Sequence, residues 1–187
     1  MEVVLASASP RRRELLGLLV RNFICMTPDL DEAVLPAEAP ADYVARLAEA
    51  KARAVNAGSA LVIAADTAVT IDGLILGKPA DPADARAMLR KLSGRSHEVV
   101  TGLSVQSGEC MENRVIRTQV EFTLLSDGDI EHYLGTDEPW DKAGAYAIQG
   151  RAGTFVKRID GSYSSVVGLP LAETKGLLAR FGVMPEW

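Results

Sequence analysis

Three arginines in a row stand at the start of a predicted helix, a position that normally disfavours positive charge. Arg11-Arg12-Arg13 follows Ser7-Ala8-Ser9-Pro10, in which Ser9 is typical of an N-cap and Pro10 of a first helical position. A cation near the partially positive N-terminus destabilises a helix by a few tenths to about 1 kcal/mol. Arginines, free backbone N–H groups and the hydroxyls of Ser7 and Ser9 favour an anion with several charges, such as a triphosphate. The alternative is a solvated basic turn beside acidic neighbours.

An aspartate follows a continuous apolar segment that is typical of a central strand. Leu61-Val62-Ile63-Ala64-Ala65 directly precedes Asp66 and Thr67, and such runs are common in strands covered on both faces. A carboxylate at the end of this strand must be solvated, paired or bound to a metal. Asp66 is therefore a candidate for holding Mg²⁺ or for activating water as a general base, with Thr67 adding a hydroxyl. The alternative is an aspartate that caps a turn.

Two lysines and an acidic stretch are further candidates for binding phosphate and metal. Lys78 lies in a Gly-Lys-Pro turn and Lys51 lies in a predicted helix, and the point charge of lysine suits phosphate. The carboxylates of Asp29-Leu30-Asp31-Glu32 suit Mg²⁺ or Mn²⁺, so Glu32 joins Asp66 as a candidate metal ligand. The alternatives are a solvated loop lysine, an exposed helix lysine and a solvated acidic loop.

A stretch rich in glycine and alanine carries a candidate for recognising a nucleobase. Residues 141–150 read Asp-Lys-Ala-Gly-Ala-Tyr-Ala-Ile-Gln-Gly, and small residues let a ligand approach the backbone closely. The side-chain amide of Gln149 is able to read the edge of a base. The alternative is an ordinary turn residue.

The elements that must position these residues alternate between strands and helices. Strands are predicted at 3–6, 61–65, 67–71, 74–76, 97–106, 114–122, 155–159 and 163–167. Helices are predicted at 9–19, 41–56, 82–92, 126–134 and 170–181. This order predicts the α/β class, with a mixed twisted sheet and flanking helices. The length of 187 residues fits a single domain over 1–187, with two lobes around a cleft as one form of it.

Composition excludes several classes of protein. Hydrophobic residues make up 48% of the chain and charged residues 24%, which argues against disorder. The net charge of −5 disfavours nucleic-acid binding. The two cysteines form no CxxC motif and fit a reducing compartment. No secretory leader or membrane-spanning run is present, so we expect a cytoplasmic protein that does not bind membranes.

Motifs of other nucleotide-binding and hydrolytic proteins are absent from the sequence. It contains no GxxxxGK[ST] loop, no GxGxxG and no GxSxG. The two histidines, His97 and His132, are interpreted as structural. Chemistry based on a serine nucleophile and a histidine base is therefore disfavoured.

Five segments in this order resemble the Maf family of nucleotide pyrophosphatases over nearly the whole chain. They are Ala6-Ser7-Ala8-Ser9-Pro10-Arg11-Arg12, Ala64-Ala65-Asp66-Thr67, Gly77-Lys78-Pro79, Ser93-Gly94-Arg95-Ser96-His97 with Thr101-Gly102, and Gly161-Ser162-Tyr163 with Val167-Gly168-Leu169-Pro170. The resemblance implies a mixed sheet with two lobes and a cleft, shared in outline with inosine-triphosphate pyrophosphatases. It also implies a divalent cation, a nucleoside triphosphate substrate and release of pyrophosphate.

The resemblance also implies roles for individual residues. Asp66 matches the family's proton acceptor. Positions that tune base choice match Arg11, Thr67 and Gln149, and polar positions of the family's cleft match Arg12, Glu32, Lys51 and Lys78. The stretch at 141–150 is similar to the subgroup that hydrolyses dTTP and UTP, with modified pyrimidine nucleotides left open as substrates.

Three other functions stay open at this point. They are a pyrophosphatase acting on 7-methyl-GTP, a phosphatase that releases orthophosphate, and a nucleotide-binding regulator of septum formation. The sequence leaves the oligomeric state open, with a homodimer as one alternative.

Overall fold

The fold is organised around one mixed β-sheet. The computed structural model describes residues 1–55 and 57–185. The strands in these ranges are β1 (Val3–Ala6), β2 (Ile24–Met26), β3 (Leu61–Ile71), β4 (Leu74–Leu76), β5 (Ser96–Ser107), β6 (Cys110–Phe122) and β7 (Val156–Asp160). The helices are α1 (Pro10–Gly17), α2 (Pro40–Ala54), α3 (Pro82–Leu92), α4 (Asp127–Leu134), α5 (Tyr163–Val167) and α6 (Leu171–Arg180), with short 3₁₀ turns at Ala143–Ala145 and Arg151–Phe155.

The sheet combines a short parallel part with a longer antiparallel part. Its strand order is β2-β1-β3-β5-β6-β7, and β4 pairs with β3 beside this path. Strand β1 runs parallel to both β2 and β3, whereas the pairs from β3 to β7 along the path are antiparallel. In the central pair, Asp66 lies opposite Gly102 and Thr67 opposite Thr101.

Local sequence signals account for most element boundaries. Helix α1 begins as predicted, because the hydroxyl of Ser9 accepts a hydrogen bond from the N–H of Arg12 at 3.4 Å. Ser126 and Asp129 form a capping box at the start of α4. Asp72 and Gly73 both have positive φ, of 53° and 76°, which is the geometry of a two-residue turn in a tight hairpin.

Three features of these elements differ from the sequence predictions. Asp66 does not end a strand, because β3 continues without a break from Leu61 to Ile71. The segment 163–167 is helix α5 and not a strand, since the Ser162 hydroxyl accepts from the N–H of Ser165 at 3.2 Å and caps it. The short edge strand β2 was not predicted. Helix α2 ends at Ala54, and its predicted end at Asn56 lies outside the described residues.

Two apolar clusters lie on either side of an open cleft. One packs α1 and α6 against β1 and the first half of β3, with Leu16, Ile63 and Leu178 fully buried. The other packs α3 and α4 against the second half of β3, and includes Leu89 and Phe122. The cleft has a volume of about 1040 Å³. The predicted mixed α/β sheet with flanking helices and two lobes around a cleft is confirmed.

Helix α2 approaches the centre of the sheet unusually closely. A Cβ atom on Gly102 would overlap the carbonyl oxygen of Val44, so only glycine allows this contact. The close packing brings the C-terminal half of α2 over β3, where Lys51 is buried. None of the helices formed by the described residues has the length and apolar character needed to cross a membrane.

His97 belongs to the aromatic part of the core, in agreement with its predicted structural role. Its Nε2 lies 2.7 Å from the hydroxyl of Tyr146, and its ring meets the ring of Phe122 edge to face at 4.9 Å between centroids. Burial lowers the pKa of His97 from 6.5 to about 4. The imidazole is therefore neutral in the folded protein at neutral pH.

The lowered pKa of His97 predicts a loss of stability in mild acid. An unfolded histidine takes up a proton near pH 6.5, so the free energy of unfolding falls as pH drops from about 6.5 to about 4. At 1.36 kcal/mol per pKa unit the loss is about 3 kcal/mol. Urea unfolding at several pH values should show that the free energy of unfolding of His97→Gln falls less steeply with decreasing pH than that of the wild type. The matched control is His132→Gln, because His132 is exposed. The prediction would be contradicted if the free energy of unfolding had the same dependence on pH in the wild type and in His97→Gln.

Candidate active site

All nine site residues predicted from the sequence line the same cleft. They are Ser7, Arg11, Arg12, Glu32, Lys51, Asp66, Thr67, Lys78 and Gln149. They come from the loop between β1 and α1, the first turn of α1, the loop before α2, α2 itself, β3, the turn after β4 and the loop before the second 3₁₀ turn. Residues that are far apart in the sequence therefore meet at one surface.

A lysine bridges two carboxylates at the centre of the cleft. The Nζ atom of Lys51 lies 2.6 Å from Oδ1 of Asp66 and 2.7 Å from Oε1 of Glu32. Lys51 and Asp66 are both buried, each with 6% of its surface exposed, whereas Glu32 is exposed. The alternative of an exposed helix lysine at position 51 is therefore wrong. The partners of Lys51 are Asp66 in β3 and Glu32 in the loop before α2, which come close to α2 only in the folded chain.

The pKa values of the two carboxylates shift in opposite directions, although the same lysine acts to lower both. Burial raises the pKa of Asp66, and the charges of Lys51 and Arg12 only partly oppose this. Burial also acts to raise the pKa of Glu32, but the hydrogen bond and charge of Lys51 prevail and lower it. Since Glu32 is more exposed, its loss of solvation is smaller. Asp66 is thus the carboxylate better suited to take up a proton.

Arg12 is held at the cleft by three hydrogen-bond acceptors. Its Nε donates to the carbonyl oxygen of Gly168 at 2.9 Å. Its two terminal nitrogens donate to Oγ of Ser7 at 3.5 Å and to Oγ1 of Thr67 at 3.4 Å. The guanidinium charge also interacts with Asp66, and the alternative of a solvated basic turn does not describe this residue.

Thr101 supports the contact between Thr67 and Arg12. The sequence did not single out this threonine as a site residue. Thr101 is fully buried, and its hydroxyl donates to the carbonyl oxygen of Ser165 at 2.9 Å. The oxygens of Thr67 and Thr101 lie 3.0 Å apart. Because Thr101 already donates to Ser165, the Thr67 hydroxyl donates to Thr101 and keeps a lone pair for Arg12. The only sequence signal was the Thr-Gly pair that lies opposite Asp66 and Thr67.

The neighbours of Arg12 in the sequence have different environments. Arg11 is half-buried at the cleft, and burial lowers its pKa while Asp141 opposes the change. The Nε of Arg11 is buried and has no hydrogen-bond partner among the described residues. Arg13 is exposed and does not line the cleft. Two of the three arginines, not all three, thus face the predicted anion site.

The acidic stretch before α2 contributes one residue to the cleft. Glu32 lines it, whereas Asp29 and Asp31 do not. The carboxylate of Asp31 instead accepts a hydrogen bond from the N–H of Ala33 at 2.9 Å. No group of three or more histidine, cysteine or acidic side chains among residues 1–55 and 57–185 is arranged to hold a metal ion. A cation at Glu32 and Asp66 would need further ligands from a bound substrate or water.

The cleft has the composition needed to hold a polyphosphate beside a basic carboxylate. Arg12 and Lys51 supply fixed charges at its floor, and Lys78 supplies an exposed charge at its rim. Asp66 lies between them with a raised pKa. Such an arrangement suits phosphoryl chemistry, which depends on positioning and electrostatic stabilisation.

Known proteins resemble this chain over almost its full length. A family model described as Maf-like protein matches residues 2–181. The dTTP/UTP pyrophosphatase of Anaeromyxobacter dehalogenans is 55% identical over 99% of this chain and 96% of its own. Proteins of the same name from Myxococcus xanthus and Shewanella oneidensis are 50% and 47% identical, over 99% and 98% of this chain and 95% and 100% of theirs.

Among solved structures, the Ham1 protein of Staphylococcus aureus aligns with 83% of this chain and 91% of its own. Its TM-score is 0.48 at 17% sequence identity. A likeness at that score carries no argument about function.

Proposed function

The chain belongs to the Maf family, and from this premise we propose that it hydrolyses dTTP and UTP to the nucleoside monophosphate and pyrophosphate. The observation that carries the proposal is the buried Asp66 paired with Lys51 in a cleft that Arg12 also faces. Relatives named dTTP/UTP pyrophosphatase, about half identical over the full chain, support the substrate class. Such an enzyme would limit unwanted or modified pyrimidine nucleotides in the cytoplasm.

In the proposed reaction Asp66 acts on water. The carboxylate orients a water molecule and takes its proton as the water oxygen bonds to the α-phosphorus. The bond from the α-phosphorus to the oxygen bridging to the β-phosphorus breaks, and pyrophosphate leaves with the electron pair. Arg12, Lys51 and Lys78 stabilise the negative charge that develops on the leaving group.

Glu32 and Asp66 fit a divalent cation, Mg²⁺ or Mn²⁺. Their carboxylate oxygens already converge on one positive charge, the ammonium of Lys51, at 2.7 and 2.6 Å. Two carboxylates completed by substrate phosphates and water are a common way to bind Mg²⁺. When bound, the cation would neutralise phosphate charge and polarise phosphoryl oxygens. Binding of Mn²⁺ to wild type and to Glu32→Gln, followed by its paramagnetic signal, tests this assignment separately from activity.

Base choice is proposed to depend on Arg11, Thr67 and Gln149. Gln149 is exposed at the cleft, and Arg11 presents a buried Nε that has no hydrogen-bond partner within residues 1–55 and 57–185. The hydroxyl proton of Thr67 is directed to Thr101, so Thr67 is proposed to act mainly by orienting Arg12. A homodimer and the absence of nucleic-acid and membrane partners stay predictions.

The function is tested with a panel of nucleoside triphosphates in the presence of Mg²⁺ or Mn²⁺. We expect pyrophosphate as the product, with dTTP and UTP cleaved in preference to GTP and 7-methyl-GTP. Orthophosphate as the first product would indicate a phosphatase. Preference for 7-methyl-GTP would assign the other subgroup, and binding without cleavage would favour a regulatory role.

A further inference from the structure

The segment 147–152, which carries Gln149, is tied down through three backbone N–H groups. The N–H of Arg151 donates to Oε2 of Glu138 at 2.9 Å, and the N–H of Ala152 donates to Oε1 at 3.2 Å. The N–H of Ala147 donates to the hydroxyl of Tyr133 at 3.2 Å. That hydroxyl in turn donates to Oε1 of Glu138 at 3.0 Å. Both ends of the segment are thus joined to one carboxylate.

A glycine lets the segment come this close to the carboxylate. A Cβ atom on Gly150 would overlap the carboxyl group of Glu138, so a larger residue there would displace that carboxyl group from its present place against the segment. Burial acts to raise the pKa of Glu138, but the hydrogen bonds from Arg151, Ala152 and Tyr133 lower it overall. The carboxylate is therefore ionised at neutral pH and binds its donors strongly.

We call the hydrogen bonds that join Glu138 and Tyr133 to the segment 147–152 the clamp. The clamped segment presents Gln149 to the cleft between two fixed neighbours. Ile148 is buried and also lines the cleft, while the N–H of Gly150 donates to the carbonyl oxygen of Ala147 at 3.0 Å. Gln149 therefore projects from a short turn whose backbone has little freedom. A side-chain amide discriminates between bases only if its oxygen and nitrogen are held in one orientation, because each base edge presents a fixed pattern of donors and acceptors.

We propose that Glu138, acting with Tyr133, is a positioning residue for nucleobase selectivity that fixes the backbone on which Gln149 is carried. Although Glu138 also lines the cleft, its proposed role is exerted through the backbone of the segment and not through the reacting phosphate groups. The inference rests on the proposed function, since it assigns Gln149 to the base. Loss of the clamp should weaken discrimination among bases more than it slows hydrolysis.

The test compares four variants with the wild type. Glu138→Gln keeps the shape but replaces one acceptor oxygen by an NH₂ group that faces a backbone N–H. Tyr133→Phe keeps the ring and removes only the bridging hydroxyl, so it serves if Glu138→Gln does not fold. Gln149→Ala removes the side-chain amide itself and should therefore show the largest loss of base selectivity of the four variants. Glu131→Gln is the matched control, because Glu131 lies in α4, pairs with Arg86 of α3 and does not line the cleft.

Two measurements decide the inference. The ratio of kcat/KM for UTP to that for GTP should fall about tenfold in Glu138→Gln, as expected for loss of a charge-assisted hydrogen bond. The fall should appear mainly in KM for UTP, with a smaller fall in Tyr133→Phe and none in Glu131→Gln. Hydrogen exchange at the amides of Arg151 and Ala152 should become faster in Glu138→Gln but not in Gln149→Ala.

Three results would overturn the inference. One is an unchanged ratio in folded Glu138→Gln and Tyr133→Phe. Another is an equal loss of kcat/KM for every triphosphate, which indicates a general structural role. The third is unchanged amide exchange. If the wild type releases no pyrophosphate from any triphosphate, the proposed function itself fails, and the exchange measurement alone then decides whether the clamp exists.

Discussion

Asp66→Asn is expected to lower kcat for dTTP by about 10²- to 10⁴-fold, because a general base contributes that much to proton transfer. The variant should keep its fold. Asn has the shape of the protonated carboxyl group, and burial already disfavours the charged form of Asp66. Relief of this burial cost opposes the loss of charge pairing with Lys51, so its free energy of unfolding should stay close to that of the wild type. Pyrophosphate release and thermal unfolding, measured on the same samples, check both parts.

The matched control for this substitution is Asp160→Asn. Asp160 is exposed at the end of β7, where it pairs with Arg158 at 3.3 Å, and the change should leave kcat unaltered. Wild-type turnover in Asp66→Asn would remove Asp66 from the mechanism. A loss of activity accompanied by unfolding would instead assign it a structural role.

Lys51→Met should reduce kcat/KM by about 10²- to 10³-fold, the usual cost of removing one group that stabilises transition-state charge. Methionine has a similar length but no charge, so Asp66 and Glu32 would lose the cation between them. A buried acceptor without its partner is also destabilising, by about 2 kcal/mol. Lys51→Met should thus lower both activity and stability, in contrast to Asp66→Asn. Steady-state kinetics and urea unfolding measure the two effects.

Lys157→Met tests whether loss of any ion-paired lysine has this consequence. Lys157 pairs with Glu121 at 2.7 Å, but 61% of its side chain is exposed. Exposed pairs contribute about 0–1 kcal/mol, so neither activity nor stability should change much. Similar effects in both lysine variants would contradict the role of Lys51.

Local signals predicted most of the fold correctly. The caps at Ser9 and Ser126 and the turn at Asp72-Gly73 depend on residues a few positions apart, so the sequence alone contains the required information. The segment 163–167 has five residues, too few for its apolar pattern to separate helix from strand. The hydroxyl of Ser162 decided in favour of a helix.

The sequence predicted residues that line one cleft, but not how they are arranged there. Charged residues in unusual places, such as Arg12 and Asp66, draw attention from the sequence alone. Burial of Lys51 depends on the packing of α2 against the sheet, which no local pattern reveals. Thr101 was indicated only by the Thr-Gly pair at 101–102, and Glu138, which is proposed to act through the backbone, carried no signal of a role at the site.

The contact at Gly102 has a mechanical consequence. Because the backbone of Val44 lies directly against β5 at Gly102, α2 and the sheet are expected to move as one rigid unit. Lys51 in α2 and Asp66 in β3 then keep a constant distance at the floor of the cleft. If α2 slid along the sheet, its backbone at Val44 would collide with the side chains that flank Gly102 in β5. Any narrowing of the cleft around a bound nucleotide must therefore come from the rims, through the loops that carry Glu32 and Lys78, while the spacing of the floor stays constant.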